Sequence, residues 1–225
     1  MVSKSKKASK SSKSSKAWLR RQENDIYTQQ ARKAGFRSRA VYKLMEIQEK
    51  DSLVKAGMTV VDLGAAPGGW SQLLTKWVGT KGQVIALDIL PIDPIAGVDI
   101  IEGDFREEAV MTALQEKVGH GKVDVVLSDM APNFSGIEAV DQARTIYLGE
   151  LALDFLQHVL KPGGSFLVKS FQGEGFETFM AQLKAVFRSV SVRKPKASRA
   201  ESREVYFLAK QYSHGCHASV ERQER

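Results

Sequence analysis

The chain has 225 residues, 43% of them apolar, and a formal net charge of +7. That length suits one sizeable core with tails, and no apolar run reads as a membrane span or a secretory signal. A single cysteine, Cys216, excludes a disulfide framework or a cysteine metal centre, and the four histidines show no metal-ligand spacing, so a reduced cytoplasmic protein without metal is expected.

Residues 1–21 hold eight Lys or Arg and no acid in a Lys/Ser-rich run, which reads as a basic tail, disordered at least to residue 16. The folded domain is expected over 22–209, with 210–225 as a polar C-terminal tail. Ser38 is placed to cap a helix through about Lys50, with Ala40, Lys43, Leu44 and Ile47 along one stripe. Residues 59–62 are apolar and β-branched, as in a strand buried on both faces. Glycines at 64, 68 and 69 then turn the chain into a helix from Trp70 to Val78. Strands follow at 84–88 and 98–105, and a fourth at 123–128 ends at Asp129. A helix over about 141–160 leads through the turn Lys161-Pro162-Gly163-Gly164 to a fifth strand, 165–168, ending at Lys169. A helix at about 176–187 and strands at 190–192 and 204–209 close the chain. Alternating strands and helices imply an α/β fold: a mostly parallel seven-stranded sheet, helices on both faces, an antiparallel edge, and a ligand site beyond the carboxyl ends of the strands.

The loop Asp62-Leu63-Gly64-Ala65-Ala66-Pro67-Gly68-Gly69-Trp70 is neither the Gly-x-Gly-x-x-Gly of dinucleotide folds nor a P-loop, which needs Gly-Lys-Ser/Thr. It resembles the first motif of class I S-adenosylmethionine-dependent methyltransferases. That resemblance implies a Rossmann-like fold binding this cofactor through Gly64, Ala65, Pro67, Gly68, Trp70 and Asp129. Asp88 would face the ribose, Asp104 the adenine amine and Phe105 the ring. Each acid alone also reads as a cap or turn residue; three in register after three strands favour the cofactor.

Charge is segregated along the chain. Residues 26–45 contain Arg32, Lys33, Arg37, Arg39 and Lys43 without an acid, and residues 184–200 add six basic residues, among them Arg193, Lys194, Lys196 and Arg199. Outside these segments and the tail, 14 basic residues face all 26 acids. An acidic scaffold with basic segments that mix Arg with apolar residues points to a polyanion-binding surface.

Four charged residues fall at the functional rim: Asp129 and Lys169 at strand ends, Glu204 at the start of the last strand, and Lys43 on the first helix. Lysines placed to be buried need partners, and such a cluster suits activation of a hydroxyl that must be aligned with a methyl donor. Over residues 17–209 the chain resembles the FtsJ (RrmJ, RlmE) family of ribosomal RNA methyltransferases. The matching segments are Phe36-Arg37-Ser38-Arg39-Ala40, Asp62 to Trp70, Ser128-Asp129-Met130-Ala131-Pro132-Asn133, Phe171-Gln172-Gly173-Glu174-Gly175 and Ser198 to Glu204. The resemblance implies methyl transfer to the ribose 2′-oxygen of a uridine in 23S rRNA within the large ribosomal subunit, by a monomer, through the tetrad Lys43, Asp129, Lys169 and Glu204, with Lys169 central. Asp129-Met130-Ala131-Pro132 departs from the Asn/Asp-Pro-Pro-Tyr/Phe of amino-methyltransferases, which favours an oxygen acceptor. Transfer RNA anticodon loops and mRNA caps are alternative substrates within the enzyme class. A noncatalytic RNA-binding assembly factor would not require the tetrad, and a small-molecule O-methyltransferase would not require the basic segments.

Overall fold

The computed structural model describes residues 25–119, 123–199 and 201–213. The basic tail of residues 1–21 and residues 214–225 lie outside the described residues. In chain order the elements are α1 (Ile26–Lys33), α2 (Val41–Asp51), β1 (Thr59–Leu63), α3 (Gly69–Val78), β2 (Gln83–Asp88), β3 (Val98–Glu102), α4 (Glu108–Val118), β4 (Val123–Ser128), α5 (Glu138–Val159), β5 (Leu160–Phe171), α6 (Phe176–Val186), β6 (Phe187–Arg193) and β7 (Glu204–Tyr212).

The central strands are runs of Val, Ile and Leu because both of their faces are covered. Val61, Leu63, Ile85, Leu87, Val126 and Phe166 point to one side, where they pack with residues of α4, α5 and α6. Val60, Val84, Val125, Leu127 and Leu167 point to the other, against Val41, Leu44 and Ile47 of α2 and Trp70, Leu73 and Leu74 of α3. Burial of each such side chain is worth roughly 1.5–3 kcal/mol, so the two packed layers hold the domain.

The seven strands lie in the order β3-β2-β1-β4-β5-β7-β6. Strands β1 to β5 are parallel, whereas β7 runs antiparallel to both β5 and β6. The sheet therefore has the expected parallel core and antiparallel edge. Strand order reverses between β1 and β4, and at such a switch point the diverging loops open a crevice.

Several local features differ from expectation. Helix α2 begins at Val41 with Ala40 as its cap residue, and the Ser38 hydroxyl accepts from the Ala40 amide at 3.1 Å instead of capping the helix. Helices α1 and α4 were not anticipated; α1 is capped by the Asp25 carboxylate, which accepts from the Thr28 amide at 3.0 Å. The third strand stops at Glu102, and Gly103, with φ +158, turns Asp104 and Phe105 out of the sheet. Pro162-Gly163-Gly164 is absorbed into β5 at a shift in its register with β4. β7 continues to Tyr212, past the expected end at residue 209, where it pairs with Phe187.

Candidate active site

A cleft of about 760 Å³ opens at the switch point, its wall including Gly64, Ala66, Asp88, Asp104, Phe105, Asp129 and Met130. Gly64 has φ +74, and a Cβ there would lie 2.7 Å from the Met130 Cγ, so the β1 loop and the β4 loop approach as closely as a bare glycine allows. Asp88 shapes the turn around it, its carboxylate accepting from the amides of Ala66 and Leu90 at 2.9 Å each. The Asp104 carboxylate accepts from the Arg106 amide and guanidinium, and this pairing with Arg106 holds its pKa below the usual carboxylate range.

Of the loop residues expected to touch a cofactor, Gly64 lines the cleft, while Ala65, Pro67, Gly68 and Trp70 stand outside its wall. Trp70 is buried behind the loop, donating through Nε1 to the Ala40 carbonyl at 2.8 Å and packing 5.9 Å from the Tyr206 ring. The cleft also recruits Arg106, Arg144, Tyr147 and Leu148, residues that no sequence motif singled out.

Beneath the loop, Asp62 is 1% exposed; its Oδ2 accepts from the Ser71 hydroxyl at 2.7 Å, and its Oδ1 has no hydrogen-bond partner. Burial pushes this carboxyl up to about 7 against the Ser71 hydrogen bond, with the charges of Asp129 and Asp88 adding to the rise. Three carboxylates thus gather at the ends of β1, β2 and β4.

Beside the cleft the four charged residues expected at the rim form two ion pairs. Lys43 Nζ lies 2.6 Å from Glu204 Oε1, and Lys169 Nζ lies 3.1 Å from Asp129 Oδ1. Lys169, 8% exposed, also donates to the Asp129 main-chain carbonyl. Sheet register explains the grouping: Lys169 faces Tyr206 across the β5–β7 pair, and Phe171 faces Glu204. Residues 204 and 206 share a face because side chains alternate along a strand.

Tyr206 was not foreseen, yet it joins the two pairs. Its hydroxyl donates to Asp129 Oδ1 at 2.7 Å, and Lys43 Nζ lies 5.8 Å from its ring centroid. Burial first, then the charges of Asp129 and Glu204, raise the Tyr206 pKa well above its ordinary value, so it remains a donor. For Asp129, burial pushes the carboxyl up, but Lys169, Lys43 and the Tyr206 hydroxyl outweigh it and hold the pKa below the usual range. Ser198 adds a hydrogen bond to Glu204 Oε1 at 2.8 Å.

The two internal basic segments, far apart in sequence, converge on α2. Arg39 reaches the Ala197 carbonyl, Glu46 accepts from the amides of Lys196 and Ala197 at 2.7 and 2.8 Å, and Arg193 makes a two-pronged pair with Asp51 at 2.7 Å. Within this group Arg37, Arg39, Arg193 and Lys194 have their head groups engaged inside the protein. Arg37, for example, ties the Pro67 carbonyl to those of Asp93 and Pro94, and Lys194 donates to the Ser202 carbonyl. Arg32, Lys33, Lys196 and Arg199 are exposed, with no side-chain ion pair among the described residues.

No three His, Cys, Asp or Glu side chains converge as a metal site among the described residues, and no helix there is long and apolar enough to cross a membrane. The mixed seven-stranded sheet, with a glycine-lined cleft at its switch point and a paired Lys/Asp–Lys/Glu cluster beside it, defines a Rossmann-like methyltransferase fold. The sequence model of the FtsJ-like methyltransferase family matches residues 36–212, and the chain belongs to that family. A solved structure named as a ribosomal RNA methyltransferase, from Plasmodium falciparum, is similar with a TM-score of 0.71 and 29% identity, over 79% of this chain and 98% of that one. A structure named as an rRNA-methylase, from Clostridium thermocellum, shares the fold at 21% identity and a TM-score of 0.52, covering 76% of this chain and 97% of its own. A structure named as a hemolysin from Lactococcus lactis shares the fold at 16% identity and a TM-score of 0.57, over 80% and 90% of the two chains.

Proposed function

We propose that the protein transfers a methyl group from S-adenosylmethionine to the ribose 2′-hydroxyl of a uridine in 23S rRNA of the large ribosomal subunit, in support of ribosome maturation. The observation that carries this reading is the tetrad, two largely buried Lys–carboxylate pairs joined through Tyr206 beside the cleft. Membership of the FtsJ-like methyltransferase family supports it, as does similarity to a protein named as a ribosomal RNA methyltransferase.

The residues present fit the cofactor. A positively charged ligand suits a site where the charges of Asp129 and Asp88 add to the cost of ionising the buried Asp62, one of whose oxygens lacks a partner. Asp88 would take the ribose hydroxyls with its remaining lone pairs, Asp104 the adenine amine, and Phe105 would border the ring. When bound, S-adenosylmethionine supplies an electrophilic sulfonium methyl.

The chain's own residues prepare the acceptor. Lys169 spends two donor positions on Asp129, one on its carboxylate and one on its carbonyl. In this reading a third position is directed at the 2′-oxygen and aligns its lone pair, so the protein contributes positioning more than proton affinity. Asp129, held ionised by the lysines and Tyr206, fixes Lys169 and offers negative charge beside the acceptor hydroxyl, whose proton would pass to solvent. Lys43 and Glu204 brace this arrangement from α2 and β7.

The test uses the full chain with labelled S-adenosylmethionine and large ribosomal subunits that lack the ribose methyl group, followed by mapping of the product. The expected outcome is one 2′-O-methyluridine in 23S rRNA, lost in Lys169→Met while that variant binds cofactor as the wild type does. Normal turnover by Lys169→Met, or methyl transfer to a base nitrogen, would overturn the reading.

A further inference from the structure

The loop from Asp129 to Ile137 leaves β4 at the catalytic cluster and presents Phe134 to solvent with 59% of its surface exposed. Nothing in the packing of the core requires an aromatic ring there. The loop is nevertheless firmly built: the Asp141 carboxylate accepts from the Ser135 amide and hydroxyl at 2.7 and 2.8 Å and from the Gly136 amide at 3.0 Å, and Arg144 donates to the Asn133 carbonyl at 3.1 Å. Phe134 is thus held outward on both sides of its own position.

Its ring meets Phe171 edge to face at 5.8 Å. Phe171 ends β5 two residues beyond Lys169 and is the register partner of Glu204, so the aromatic pair adjoins the tetrad. Together with Ser202 and Arg203 the two rings border a hollow of about 280 Å³. The guanidinium of Arg203, 48% exposed, stands at this rim in a pair with Glu138 at 2.5 Å.

We propose that Phe134 is the stacking platform for the base of a nucleotide that adjoins the methylated one, with Phe171 supporting the ring and Arg203 bordering the site. The inference rests on the reading that the tetrad acts on an RNA ribose. A base splayed from a single strand is bound on an aromatic face without regard to its identity. The position fits such a strand. The basic loop of residues 194–199 packs on α2 and the aromatic hollow is lined by α5, helices that cover opposite faces of the sheet, and the tetrad lies at the strand ends between them. RNA seated at Lys169 would meet cations on one flank and an exposed ring on the other.

Two measurements on the full chain test this. Phe134→Ala and Phe134→Leu should raise the KM for rRNA on the order of tenfold, the size of one lost base–aromatic stack, with cofactor affinity unchanged, while Phe134→Tyr restores the wild-type KM. Phe134→Trp should show fluorescence quenching by a single-stranded RNA oligonucleotide beyond that of the wild-type protein. An unchanged KM in Phe134→Ala, or a wild-type KM in Phe134→Leu, overturns the proposal, as does a Phe134→Trp variant without added quenching. Absence of methyl transfer by the wild-type protein would instead count against the proposed function, and the quenching would still decide the stacking site.

Discussion

Asp62 occupies the start of the glycine loop, and its proton is held more tightly in the fold than in the unfolded chain. Its pKa rises from 3.8 to about 7, chiefly because burial disfavours the charge. The folded state therefore binds more protons than the unfolded state between these values. Its contribution to stability is present below about 4, is lost as pH rises to about 7, and leaves a cost of a few kcal/mol above that. Asp129 behaves oppositely: its pKa is depressed, so its contribution is present above the unfolded value and is lost only as pH falls through the lower folded one, outside the same window. Asp62→Asn keeps an acceptor for Ser71 and cannot ionise. Without added cofactor, the melting temperature of the wild type should fall across pH 4.5–7.5 relative to that of Asp62→Asn. Parallel curves for the two proteins would show that Asp62 is ionised throughout.

At the scale of elements, the loop joining β1 to α3 was legible because its chemistry is local: glycine spacing and a β-branched run suffice to place it. The tetrad was legible for a related reason, since strand ends can be located from periodicity and the fold class says which ends meet. Tyr206 was not, because in β7 it reads as one more buried aromatic, and only the β5–β7 register sets its hydroxyl against Asp129. Helix α4 escaped notice because its exposed face is charged and only Leu114 and Val118 are buried, too sparse a stripe to declare a period. Gly64→Ala must accommodate a Cβ at 2.7 Å from the Met130 side chain at φ +74, whereas Gly163→Ala, at φ +79, meets nothing within 4 Å. Both incur backbone strain of about 1 kcal/mol, equivalent to roughly 2–4 °C in melting temperature for a chain of this size. Gly64→Ala should lose more than that and bind cofactor at least about tenfold more weakly, as read by thermal melts and calorimetry. Equal melting temperatures and equal affinities would mean that the β1 and β4 loops can part without cost.

For the whole molecule, the net charge of +7 conceals an acidic scaffold, and folding sorts the cations of its basic segments into two roles. Arg37, Arg39 and Arg193 act as internal struts that tie the basic segments to one another, to α2 and to the glycine loop, and Lys194 braces the β6–β7 connection at Ser202. Arg32, Lys33, Lys196 and Arg199 keep exposed head groups. Phosphate contacts release counterions, so of these two groups the second should contribute to the salt dependence of RNA binding, at about 0.7 in the slope of log K against log salt for each contact with a single strand. Replacing Arg32, Lys33, Lys196 and Arg199 together with Gln should lower that slope by up to about 3 while leaving the melting temperature unchanged, because none of them makes a side-chain ion pair among the described residues. Arg193→Gln should do the reverse: the half-buried Asp51 carboxylate loses its two-pronged partner, the melting temperature falls by several degrees, and the salt slope changes little. Salt titrations with an rRNA fragment, paired with thermal melts, separate the two. If Arg193→Gln lowered the slope as much as the four-residue variant, the struts would have to release their partners on binding, and the RNA surface would extend across α2 beyond its exposed cations.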